Sequence, residues 1–342
     1  PHIEKAGFQC AVRHIYPDSF WNTQMHIKTA GGLLRFLNLF LFLSIGLFKK
    51  IWFAVTAWMY DGVIIQKETF PKSIFLLMKL MQRRVIYEMD DTIFEFNPYH
   101  DRNPLLHFLL WQQARLCIFM MKHARMGVAE NEYIAAEYRK YNPHVSLVTA
   151  PIDTGRIYPR TPPKPSGEKI IIGWIGSPST THMLEGIAPA LERLGALRKN
   201  IALKTVGARS DRSISGIEHI RKEWKLDDEL SDLQSFDIGL MPIDDSPFNR
   251  GRLGYKMIQY MAVGIPVVAD DRGLNRIVIT SGENGYLVSG ADGWVNALTK
   301  LIDDQSLRRT LGVNGRKRAE ERFSIEANAK VWVDVLTELI KK

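Results

Sequence analysis

The chain has 342 residues, is 46% hydrophobic and 24% charged, and carries a formal charge of +8. This excludes a disordered or low-complexity protein and leaves room for two domains with their own cores. The two cysteines, Cys10 and Cys117, exclude a disulfide framework or a thiolate metal cluster and suit a reducing compartment. Charge is uneven: residues 1–160 hold 19 Lys and Arg against 13 Asp and Glu, and residues 161–342 hold 26 against 24. A basic first half favours anionic partners. With no nucleic-acid motif present, a lipid surface is the better choice.

In chain order, Pro1–Phe8 reads as the end of a helix stopped at Gly7, and Cys10–Ile15 as a strand. Residues 33–60 form two apolar runs divided by Lys49 and Lys50, with Trp52, Trp58 and Tyr60 in the second. Neither run reaches the ~20 apolar residues of a membrane span. A buried helix pair, a helix in the membrane interface and a broken span stay open. Strand and helix then alternate. Strands are predicted at Gly62–Gln66, Arg84–Tyr87, Gly127–Glu130 and Val145–Thr149, and helices at Pro71–Gln82, Asn103–Arg125 and Glu132–Tyr141. Such alternation implies a parallel sheet covered by helices. Asp90 and Asp91 follow the second of these strands, at the end where open α/β sheets place their chemistry. They can bind a metal, cap the next helix or act on a sugar.

Residues 160–167, between Pro159 and the next strand, form a Pro-rich connector and the predicted domain boundary. Strands at Lys169–Ile175, Ile201–Val206, Glu218–Ile220 and Phe236–Pro242 follow, with amphipathic helices to the end. Gly176, Ser177 and Thr180 lie in a small-residue loop between strand and helix. That loop is a phosphate cradle or a plain tight turn. Arg209 lies just past the next strand, and Trp224 flanks a nucleobase or packs on the surface.

The stretch from Arg250 to Val288 carries the most information. Met257, Ile258, Met261 and Ala262 recur at helical spacing, Gly264 and Pro266 end the helix, and Val267–Ala269 is a short strand. Arg250, Gly251 and Arg252 approach that helix, and Lys256 and Gln259 share one side of it. Arg252 and Lys256 face one anion if the helix reaches back far enough. The arrangement is a diphosphate seat or a solvated basic helix start.

The run Gln259-Tyr-Met-Ala-Val-Gly-Ile-Pro-Val-Val-Ala, then Gly282-Glu-Asn-Gly-Tyr-Leu-Val, resembles the donor-binding segment of GT-B glycosyltransferases of the family-4-like group. Phe236-Asp-Ile-Gly-Leu-Met-Pro, Tyr87–Phe94, Asn131-Glu-Tyr and Pro151-Ile-Asp-Thr extend the resemblance over most of the chain. It departs at the family's pair of glutamates, where Gly251 and Gln259 stand. The resemblance implies an α/β protein of two Rossmann-like, doubly wound domains: residues 1–159 on the acceptor side, and 168–342 for the donor, with the final helix returning to the first. Related chains open with a strand and Gly-rich loop, so the first domain reads as missing its opening strand.

The implied function is transfer of a sugar from a nucleotide-sugar donor to a glycan, lipid-linked or small-molecule acceptor, with retention at the anomeric carbon. Asp90, Asp91, Arg252 and Lys256 are the catalytic candidates. Asp90 stands where the family often has a histidine. Gly176, Ser177, Thr180, Arg209, Arg250, Gly251 and Gln259 are the donor-binding candidates. No metal or other cofactor is expected, because protein cations can meet the leaving-group charge. The expected location is cytoplasmic, with peripheral contact at the inner face of the membrane. A nucleotide-sugar-binding subunit without activity and a nucleotide-sugar epimerase are the other readings.

Overall fold

The computed structural model describes residues 2–15, 32–95, 104–162, 167–209 and 214–341. Residues 163–166 of the expected connector lie outside them. Contacts divide the chain into two compact units, Pro1–Val148 with Val331–Lys342, and Thr149–Lys330. The boundary falls at Val148–Thr149, ahead of the Pro-rich stretch. The reason is local: Ile152 bridges Ser324, and the Arg316 guanidinium donates to the carbonyls of Thr154, Ile157 and Ala262. These bonds hold residues 152–157 to the second unit.

In the first unit a parallel sheet runs in the order β1 (Val63–Gln66), β2 (Val85–Met89), β3 (Met126–Ala129), β4 (Val145–Leu147). Alternate residues of β2 face opposite sides. Val85, Tyr87 and Met89 pack with Phe75, Met78, Cys117, Met120 and Tyr138 from the helices at Lys72–Met81, Pro104–His123 and Glu132–Arg139. Ile86, Met126 and Val128 instead meet Val335, Leu336 and Leu339 of the closing helix Ile325–Lys341. That helix begins in the second unit and ends on the first unit's sheet.

Two expectations for this unit change. Cys10–Ile15 forms no strand: it is largely exposed, and its Arg13 guanidinium donates to the Tyr60 hydroxyl. The two apolar runs around Lys49 and Lys50 form one helix, Gly32–Thr56, followed by a 3-10 turn at Ala57–Met59. A lysine pair interrupts hydropathy but not helical geometry, because lysine is a good helix former.

In the second unit six parallel strands are ordered β10 (Gly285–Val288), β9 (Val267–Asp270), β8 (Ile238–Met241), β5 (Ile170–Ile175), β6 (Ile201–Val206), β7 (Glu218–Lys222). Trp174, Ile172, Ile238, Leu240 and Val268 form the inner layer of the core with Leu191, Leu194, Leu298 and Leu301 from the helices. Gly264 takes φ +72° at the end of the Tyr255–Ala262 helix, the left-handed C-terminal stop that the sequence announces.

Candidate functional site

The chain leaves β5 in two directions, toward β6 and β7 on one side and toward β8, β9 and β10 on the other. A parallel sheet wound both ways leaves a crevice beyond the carboxyl ends of the strands at the reversal. The loops after β5, β6 and β8 meet there.

The loop after β5 is built from small residues. The Thr180 N–H and hydroxyl both donate to the Ser177 carbonyl, each at 3.0 Å. The Ser177 and Ser179 hydroxyl oxygens lie 2.8 Å apart. A Cβ at Gly176 would fall 2.6 Å from the Lys256 ammonium nitrogen and 2.6 Å from the Trp174 ring. Glycine at 176 thus lets the lysine enter. Arg209, after β6, is exposed, and its backbone N–H donates to the Thr181 hydroxyl at 3.0 Å.

The loop after β8 is pinned by Asp270, whose carboxylate accepts from the Ile243 N–H at 2.9 Å and from the Trp294 indole at 3.2 Å. Ser246 then caps a short helix, Pro247–Arg250, that the sequence reading lacks. The Arg250 guanidinium lies 3.0 Å from Asp245, so it enters the site as half of an ion pair. Gly251 ends the short helix. The next helix starts only at Tyr255, because Gly254 has a non-helical ψ of 76°. Arg252 therefore stands in the turn, and the expected one-turn relation to Lys256 along a single helix does not hold. Its charge still acts on Lys256.

Lys256 is the centre of the arrangement. Its Nζ sits 4.4 Å above the Trp174 ring and 3.3 Å from the Thr180 hydroxyl. Burial, with the Arg252 charge second, pushes its pKa down to about 7. The helix that carries it is locked to the strand end by Tyr260, whose hydroxyl accepts from the Ile175 N–H at 3.1 Å. Gln259, on the same helix, is buried, and its amide donates to Glu229 Oε1 at 3.1 Å. The other oxygen of Glu229 accepts from Arg156 at 3.1 Å. A carboxylate 30 positions away in the chain thus stands beside Gln259. Sequence reasoning missed Glu229 for that reason. It also read Trp174 only as core; the useful signal was an aromatic two residues before a small-residue loop. Trp224 lies against the Gly207 turn, half-exposed.

The first unit holds its own polar cluster at the carboxyl ends of β1, β2 and β3. Lys67, in a left-handed conformation with φ 58°, places its Nζ 3.3 Å from Asp90 and 3.3 Å from Asp91. Asp91 also accepts from the Thr92 N–H at 3.0 Å. Glu88 and Glu130 are buried nearby, and burial, then the Asp90 charge, pushes each up to about 8. Among the described residues, no group of three or more His, Cys, Asp or Glu side chains is placed to hold a metal ion.

Residues 169–304 match the family model described as Glycosyl transferases group 1. The capsular polysaccharide biosynthesis glycosyltransferase CapM of Staphylococcus aureus is 26% identical over 175 residues, which is 49% of this chain and 45% of that protein. A D-inositol 3-phosphate glycosyltransferase of Corynebacterium kroppenstedtii is 36% identical over 91 residues, 26% of this chain and 20% of the relative. The matches thus span less than half the length of these curated relatives. Among solved structures, sucrose-phosphate synthase from Thermosynechococcus elongatus superposes with a TM-score of 0.63 at 17% identity, covering 89% of this chain and 79% of its own. Anabaena HepE in complex with UDP-glucose gives 0.62 at 15% identity, covering 83% and 80%. These likenesses show the fold of the pair of parallel-sheet units. The chain thus has the two-unit GT-B fold, and residues 169–304 of its second unit match the Glycosyl transferases group 1 model.

Proposed function

We propose that the protein transfers a sugar from a nucleotide-sugar donor to the hydroxyl of a glycan, lipid-linked or small-molecule acceptor. The observation that carries this reading is the seat made by Gly176–Thr180 and Lys256 over Trp174. A diphosphate brought there meets a cation that no described carboxylate neutralises, the hydroxyl of Thr180 and, from the turn, Arg252. In the reaction the bond from the anomeric carbon to the diphosphate breaks, a bond to the acceptor oxygen forms, and the acceptor proton leaves. Charge builds on the leaving diphosphate, and groups already aimed at it lower the barrier. Gln259 with Glu229 reads the ribose, and Trp224 with Arg209 borders the base side. As the resemblance implies, Asp90 and Asp91 are the candidates for the transferred sugar or the acceptor.

The outcome is retention at the anomeric carbon, without a metal, as the family resemblance implies. The complex of HepE with UDP-glucose supports a nucleotide sugar as donor. The reading places the enzyme in the cytoplasm, at the inner face of the membrane.

A thermal-shift panel of nucleotide sugars tests binding, since a ligand of the native state raises its stability by mass action. Release of nucleoside diphosphate with and without acceptor then tests chemistry. Acceptor-dependent release supports transfer. Binding without turnover leaves only a binding subunit, and a changed donor sugar without release makes the protein an epimerase. An inverted product anomer overturns retention.

A further inference from the structure

We propose that the helix Gly32–Thr56 is a docking surface for a lipid bilayer with anionic headgroups. Its outward side is apolar. From Phe40 to Val55, every described exposed side chain is apolar except Ser44, whose hydroxyl is already donated to the Phe40 carbonyl at 2.8 Å. Phe48 is 69% exposed, Trp52 57% and Trp58, just beyond the helix, 66%. Isolated exposed leucines are ordinary, but a contiguous apolar helix face marks an interaction site.

The inward side of this helix is mostly small and apolar around one tethered lysine. Gly46, Lys50, Phe53, Ala54 and Ala57 recur at helical spacing toward the unit. The Lys50 ammonium donates to Glu68 Oε1 and to the Thr69 carbonyl, each at 2.6 Å. The Thr56 hydroxyl turns back to the Trp52 carbonyl at 2.7 Å. A helix that satisfies its own polar groups and shows hydrocarbon outward is suited to lipid.

Charge selects the occupant. Residues 32–60 contain Arg35, Lys49 and Lys50 and no Asp or Glu. Lysine beside exposed Trp and Phe is the composition of a helix lying at the headgroup level. Among the described residues, no helix is long and apolar enough to cross a membrane; the contact proposed lies in the plane of the surface. The tether through Lys50 reaches the loop that carries Lys67, and Lys67 bridges Asp90 and Asp91. The docking inference does not depend on the transferase reading, and its test measures binding rather than turnover.

The test is flotation of the full chain with vesicles of phosphatidylcholine alone or mixed with phosphatidylglycerol, with light scattering of the protein by itself. The expected result is flotation with the anionic vesicles, weaker at high salt and weaker in Lys49→Glu. Phe48→Ser with Trp52→Ser should lower partitioning about tenfold or more while leaving the circular dichroism and melting curve unchanged, because both side chains are exposed. Three outcomes overturn the proposal: no flotation with anionic vesicles at low salt; flotation that the double variant leaves intact; or a dimer that the double variant turns into a monomer without any vesicle binding, which would assign the face to a second copy of the chain.

Discussion

The Lys256 ammonium nitrogen lies 4.4 Å above the Trp174 ring, which itself belongs to the core of the second unit. The ring walls the lysine off from water on one side, and the Thr180 hydroxyl is its hydrogen-bond partner at 3.3 Å. A cation held by a π-face and a hydroxyl, with no carboxylate among the described residues, is prepared for an anion that arrives from outside.

Removing that cation should cripple transfer. Loss of one preorganised charge at a leaving group costs about 2–4 kcal/mol of transition-state stabilisation, or roughly two to three decades in rate. Lys256→Ala and Arg252→Ala are each expected to show this loss in kcat with a native circular dichroism spectrum. Arg250→Ala should change kcat less than about threefold, because Asp245 already holds that guanidinium. Equal losses at 250 and 252 would contradict the assignment.

Proton uptake should accompany donor binding. Free Lys256 has its pKa pushed down to about 7, and a bound diphosphate raises it. Near pH 8 the free lysine is mostly neutral and the bound one charged, so up to one proton is taken up. Affinity therefore falls as pH rises from 7 toward the raised value in the complex. Calorimetry at pH 8 in buffers of different ionisation enthalpy measures the uptake, which should vanish in Lys256→Arg. Binding heats independent of buffer in the parent protein would refute it.

The elements were legible in the sequence where local chemistry decides them. Gly264 and Pro266 end a helix wherever they stand, and the periodicity of Met257, Ile258, Met261 and Ala262 places its buried face. Cys10–Ile15 looks like a strand by composition, yet a strand needs a neighbour to pair with, and pairing is not a local property. The helix does not reach back to Arg252 for a local reason, since Gly251 and Gly254 interrupt the run before Tyr255. Glu229 beside Gln259, and Lys67 between Asp90 and Asp91, are contacts between distant positions that no spacing rule reports. The site was therefore readable as a list of candidates but not as an arrangement.

Activity should survive chelation. In the proposed seat, Lys256 and Arg252 would meet the diphosphate charge that a divalent ion would otherwise meet. Treatment with EDTA is expected to leave initial rates within about twofold. A loss restored by Mn²⁺ or Mg²⁺ would transfer the role to Asp90 and Asp91.

Glu229 should affect donor binding more than chemistry. Its carboxylate joins Gln259 to Arg156, so Glu229→Ala leaves the buried amide of Gln259 without this partner. That costs about 1–3 kcal/mol of stability. If the pair reads the ribose, KM for the donor rises about tenfold in both Glu229→Ala and Gln259→Ala while kcat changes little. A 2′-deoxy donor should erase most of the difference between parent and variants. Unchanged KM in a folded Glu229→Ala protein would reduce the carboxylate to a brace for Arg156.

The buried glutamates of the first unit should make its stability fall with rising pH. Glu88 and Glu130 each have their pKa pushed up to about 8 by burial and by the Asp90 charge. Unfolded, a glutamate titrates near 4.3. Between that value and about 8 the native state binds more protons than the unfolded chain, so stability decreases across this window. Below about 4 the two states are equally protonated and this penalty is absent. Glu88→Gln, which keeps the shape and removes the ionisation, should therefore stabilise the protein by roughly 1–3 kcal/mol at pH 8 and leave it nearly unchanged at pH 4. Denaturant melts of parent and variant at the two pH values measure the difference. Glu130→Gln should act in the same direction, and the double variant should gain less than the sum, because the Glu88 charge contributes to the shift of Glu130. A destabilised Glu88→Gln at pH 8 would show that the carboxylate is ionised in the native protein and held by Lys67, and the polar cluster would then be a salt-bridge network rather than a store of protons.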